Sequence, residues 1–159
     1  MNPPGNPKAM RRLPPAPGVD VLERSVAGFL VWEFPQGGLK GSLARVAAEP
    51  SRIFIDPTLA RLVEAAAAVH AAGAHVAVET LTPVIGADGA RRMGEMARDN
   101  SGPGLAEYSA SLLWSRYVAG DLLGQLDSLR EYVADNPDDL MPAIERMETL
   151  VSIFRSLLQ

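Results

Sequence analysis

Apolar positions recur mainly at helical spacing. Leu22, Val26, Phe29 and Leu30 lie three and four residues apart and predict a helix over 21–33. Asp20 and Glu23 stand at its start in the arrangement of a capping box. Leu39, Leu43, Val46 and Ala47 predict a short helix over 39–48, stopped by Pro50. Asp56-Pro57 combines a side-chain acceptor with a proline whose missing N–H costs nothing in a first turn, so a helix should start there and run over 57–72. Gly73 suits the left-handed position that ends it. Residues 88–98 repeat the pattern through Met93, Met96 and Ala97.

The C-terminal third is the most regular stretch. Tyr108, Leu112, Ser115, Ala119, Leu122, Leu126, Leu129 and Val133 advance in alternating steps of four and three. After Asn136-Pro137 the same alternation runs through Leu140, Ile144, Met147, Val151, Phe154 and Leu158. This is the spacing of a coiled-coil seam. The connection is too short for anything but a reversal, so the pattern predicts an antiparallel helical hairpin over 105–158, with Asp138 capping its second helix. The expected architecture is mainly α, a helical bundle built around this hairpin.

Three segments admit another reading. Residues 28–34 form a continuous aromatic and branched run, 52–55 are short and apolar, and 74–81 alternate through Val76, Val78 and Thr80. Taken as strands they give an α+β alternative with a small parallel sheet. In that reading Gln36-Gly-Gly-Leu-Lys-Gly-Ser42 becomes a glycine-rich loop opening a helix, able to hold a phosphate or another small anion. Its order of residues is neither GxxxxGK[ST] nor GxGxxG, and a turn between two elements accounts for it equally.

Composition narrows the function classes. The chain has 159 residues, 47% of them hydrophobic and 21% charged, and no cysteine. A disulfide framework, a thiolate metal site and a cysteine nucleophile are thereby excluded. Residues 1–18 carry six of the 13 prolines and predict a disordered tail, leaving 19–159 as one helical domain. The net charge of −4 is uneven: residues 101–159 hold four basic and nine acidic side chains. Such a surface repels phosphate backbones, so no nucleic-acid partner is expected. No apolar run reaches membrane-spanning length, and no signal peptide opens the chain, so the expected location is cytoplasmic. The excess of arginine over lysine, with abundant Ala, Gly and Pro, points to a GC-rich bacterial or phage genome.

Candidate chemistry is sparse. His70 and His75 lie five apart across a glycine, a spacing that does not place two ligands on one helix face, so no metal and no cofactor are expected. Asp127, Glu131 and Asp135 line one helix face at four-residue intervals; a solvated face or a docking surface for a basic partner explains them better than acid–base catalysis. Leu113, Tyr117 and Leu123 on one helix, with Leu150, Ile153 and Leu157 on the next, widen the apolar surface beyond what two helices cover. The expected interaction surface is therefore Asp127, Glu131, Asp135, Leu150, Ile153 and Leu157. An enzyme with a dispersed site would need Asp56, His75 and Glu79 in one cleft. The function expected is a non-catalytic helical protein–protein interaction module (an adaptor, an assembly chaperone or a small regulator) that self-associates into a homo-oligomer.

One pattern resembles a known family. Arg52-Ile-Phe-Ile-Asp56, a helix, Gly73-Ala-His-Val-Ala-Val78 and Thr82-Pro83 look like the second half of STAS-type anti-sigma-factor antagonists. The resemblance covers about a third of the chain and implies strands at 52–55 and 74–78. It puts Pro57 where that family has a phosphoacceptor Ser or Thr, and the expectations above do not rest on it.

Overall fold

A computed structural model describes Leu13 and residues 18–34, 38–98 and 103–159. Among these residues there are seven helices and no strand: α1 (Val19–Trp32), α2 (Gly41–Ala48), α3 (Pro50–Ile53), α4 (Pro57–Ala71), α5 (Val78–Arg98), α6 (Pro103–Asp135) and α7 (Met141–Leu158). The fold is mainly α. The alternative sheet is absent: 28–32 belong to α1, 52–53 close α3, and 78–81 open α5. The STAS-like strands fall with it. Apart from Leu13 and Gly18, the proline-rich tail lies outside the described residues. The chain divides into two compact units, Pro15–Trp114 and one containing Ser115–Gln159.

In the first unit α1, α4 and α5 pack against one another, and α2 and α3 lie against α4. The strand-like run in 28–34 has a simple cause. Val26, Ala27, Phe29, Leu30 and Val31 are all buried, because this half of α1 packs against both α4 and α5. A helix covered on several faces loses its polar stripe and reads as a continuous apolar segment. Leu59, Leu62, Val63 and Ala66 of α4 and Leu81, Met93 and Met96 of α5 complete this core. Each large aliphatic side chain so buried contributes roughly 1.5–3 kcal/mol. The Trp32 indole N–H crosses from α1 to donate to the Met93 carbonyl (3.2 Å), adding about 1 kcal/mol and a fixed register.

Helix ends follow local chemistry in some places and tertiary demands in others. The Asp56 carboxylate accepts from the Thr58 and Leu59 amides (2.9 and 3.4 Å), as its sequence context predicts. At the other end of α4 the Gly73 amide donates to the His70 carbonyl and the Ala74 amide to the Val69 carbonyl. With Gly73 at φ 71°, this is a Schellman motif. The capping box at Asp20 does not form: the residue before α1 is Gly18, and Glu23 turns into the interior. Asp138 likewise does not cap α7, whose preceding residue is Leu140. Pro50 does not merely stop α2; it occupies the first turn of α3. Helix α5 is two helical stretches joined at Gly86, whose φ 73° and ψ −177° only glycine adopts readily. A Cβ on Gly89 would lie 2.6 Å from the Ile85 Cβ, so the chain closes tightly just past the break.

In the second unit the C-terminal part of α6 and all of α7 form the antiparallel hairpin. Asn136 ends α6 with its amide and its Nδ2 both donating to the Tyr132 carbonyl (2.9 and 3.0 Å). The Asp139 amide then donates to the Asn136 carbonyl (3.2 Å) in the turn. Arg146 Nη2 donates to Gln125 Oε1 (3.0 Å), which fixes the side on which the two helices meet.

Candidate interaction surface

Three features could carry function: a charged cleft in the first unit, the glycine-rich segment before α2, and the outer faces of the hairpin.

The cleft has a volume of about 580 Å3 and opens between the starts of α1 and α4 and the second stretch of α5. Its walls carry Asp20, Glu23, Asp56 and Glu95 with Arg24, Arg91 and Arg92 over an apolar floor of Val19, Ile55, Leu59 and Met96. The charges are paired within the protein. Glu23 is 2% exposed, and its carboxylate accepts from the Ile55 amide (2.5 Å) and the Asp56 amide (3.3 Å). Asp56 caps α4 with one oxygen and binds Arg92 with the other. Arg24 faces Asp20 at 3.7 Å, and Arg91 binds Asp88 (2.8 Å) and Glu95 (2.9 Å). The Arg91 hydrogen bond and positive charge hold the Asp88 carboxyl below its usual value, and Asp88 in turn raises Arg91. An incoming anion would have to displace a carboxylate already in place. The arrangement joins α1, α4 and α5 and is built as a clamp rather than as a receptor.

His75 and Glu79 do not line this cleft; both are exposed beyond the end of α4. Asp56, His75 and Glu79 are therefore not assembled into one cavity. His70 stacks on Phe34 with ring centroids 4.3 Å apart. Among the described residues no three His, Cys, Asp or Glu side chains are placed to hold a metal ion.

The 36–42 segment loses the strand on which its anion-binding reading depends, because α1 precedes it. Gln36 and Gly37 lie outside the described residues. At the start of α2 the Ser42 amide donates to Glu107 Oε1 (3.2 Å). Arg45, one turn on, sits over the Trp114 ring at 5.3 Å. Glu107 and Trp114 are seven apart on α6, so one face of that helix holds both ends of α2. The helix N-terminus that could attract an external anion already faces the chain's own carboxylate.

The hairpin differs most from its sequence reading. Leu129 and Phe154 are buried as expected of seam positions. Leu126 and Val133 of α6 are instead 44% and 40% exposed, and Leu140, Ile144, Met147, Val151 and Leu158 of α7 are 44–66% exposed. The inward stripes share only Leu129 and Phe154 with the seam: Val118, Gln125, Leu129 and Tyr132 on α6, and Ala143, Leu150 and Phe154 on α7. At about 100° per residue, the four–three seam lies roughly a quarter-turn from the inward stripe on each helix. The helices run antiparallel, so the two quarter-turns bring both exposed seams to the same side of the hairpin. The result is one apolar face some 27 Å long, measured from Leu140 to Leu158.

The expected interaction residues separate accordingly. Asp127, Glu131 and Asp135 lie on the side of α6 away from the apolar face. Ile153 is exposed on that same side, Leu157 is half-buried and Leu150 is buried. Leu150 belongs to the hairpin interior. Sequence reasoning found the residues of the exposed face but gave them the wrong task, since it assigned the regular seam to the contact between α6 and α7.

Comparison with protein-family models, curated proteins and solved structures finds no match for this chain. No helix among the described residues is long and apolar enough to cross a membrane.

Proposed function

We propose that the chain is a non-catalytic helical interaction module and that the apolar face of the α6–α7 hairpin is its docking surface for protein. The observation that carries the reading is the position of the seam. Heptad-spaced Leu, Ile, Val and Met side chains face outward on both helices, while the hairpin closes through another stripe. Side chains of this size at these exposures leave on the order of 500 Å2 of contiguous apolar surface, at the upper end of what a monomer exposes without use. Regular spacing along a helix pair matches the knobs-into-holes packing of another helix. The cleft, with its charges already paired, supports a structural role instead.

A photo-crosslinking residue placed at Val151 tests this, with the same residue at Asp135 as the contrast. Protein adducts at 151 and none at 135 are expected in cells making the full chain. Equal labelling at both positions, or none at 151, removes the reading.

A further inference from the structure

We infer that the occupant of the apolar face is a second copy of this chain, packed face to face so that two hairpins form a four-helix bundle. This rests on the reading of that face as a docking surface and specifies its partner. Three observations favour the second copy. The face is two-sided in the way a two-fold contact needs: heptad-spaced side chains stand on both α6 and α7, so an axis along the hairpin lays α6 of one copy on α7 of the other, antiparallel.

The charge distribution also allows it. Ser115–Gln159 holds four basic and eight acidic side chains, which would oppose self-association if the acids lay at the contact. Asp127, Glu131 and Asp135 lie on the opposite side. The edges of the apolar face carry Arg130 on α6 and Glu148 and Arg155 on α7, so the rim that the two-fold contact brings together is of mixed sign.

The area fits as well. About 500 Å2 of apolar core plus its polar rim approaches the roughly 800 Å2 per partner of a standard stable interface.

Light scattering on the full chain is the test. A mass of twice 17.0 kDa is expected at tens of micromolar. Met147→Glu with Val151→Glu places two charges per copy in the contact and should weaken the dimer on the order of 100-fold or more. Both positions are more than half exposed, so far-UV circular dichroism should stay that of the parent. Asp135→Lys, on the other side, should leave the mass doubled. A parent chain that stays at 17.0 kDa near 100 μM overturns the inference, and so does a double variant that remains dimeric. A monomeric parent whose residue 151 crosslinks to a different protein overturns the second copy alone. Absence of any adduct at 151 overturns the docking surface with it.

Discussion

Glu23 offers the sharpest test of how the first unit is held. Its side chain is buried and its two oxygens accept from the backbone amides of Ile55 and Asp56, where the chain reverses between α3 and α4. Glu23→Ala leaves both amides without their acceptor in the wall of the charged cleft. Each unsatisfied buried donor costs about 1–3 kcal/mol. The Asp56 amide, at 3.3 Å, has the longer bond and less to lose. A total of about 2–4 kcal/mol is expected, against about 1–2 kcal/mol for Glu23→Gln, which keeps one acceptor oxygen. For a unit of about 100 residues, each kcal/mol lowers Tm by roughly 4–8 °C. Thermal unfolding of the full chain by circular dichroism reads the global loss. Amide hydrogen exchange reads the local one, since Ile55 and Asp56 should lose protection before the centre of α4 does. A Glu23→Ala protein within about 1 kcal/mol of the parent, with Ile55 still protected, would refute the argument that this carboxylate fastens the α3–α4 reversal.

Other outcomes follow from the same structure. Leu62→Ala, in the fully buried centre of α4, should cost about 2–5 kcal/mol in urea unfolding. Gly86→Ala forces a side chain into φ 73°, ψ −177° and should cost about 1–3 kcal/mol, read as a lower Tm with little change in helix content. Glu107→Ala frees the Ser42 amide and should cost about 1 kcal/mol, with faster exchange confined to the first turn of α2. Asp88, held down by Arg91, should titrate below 3.8 by carboxyl carbon NMR, and Arg91→Ala should return it toward that value. Because the folded value is the lower one, this pair stabilises the fold above the unfolded value, and its contribution is lost as pH falls through the folded one.

Much of the helical layout was legible from local chemistry. Asp56-Pro57 and Gly73 bracket α4 because capping acts within a few residues: a carboxylate reaches amides two and three positions on, and a glycine accepts a positive φ. The hairpin was legible for a similar reason, since a seven-residue repeat on each side of Asn136-Pro137 leaves little else for the chain to do. The segments misread as possible strands, 28–34 and 74–81, lack that local signature. Burial of every residue over 26–31 removed the amphipathic stripe from the second half of α1, and the Gly86 break divided the periodicity of α5.

The amino-acid order by itself determined that helices form, where several of them start and stop, and that an apolar heptad stripe runs along the last two. Those properties depend on contacts a turn or two away. Which way the stripe faces was decided only in three dimensions. Two apolar rows a quarter-turn apart satisfy the same periodicity, and the choice between them depends on how α6 and α7 fit together through Gln125, Tyr132, Ala143, Arg146 and Phe154. The same holds for Glu23, which has the spacing of a capping residue yet binds amides 32 and 33 positions away. A buried carboxylate takes whatever donors the packing brings, and no local pattern records which those will be.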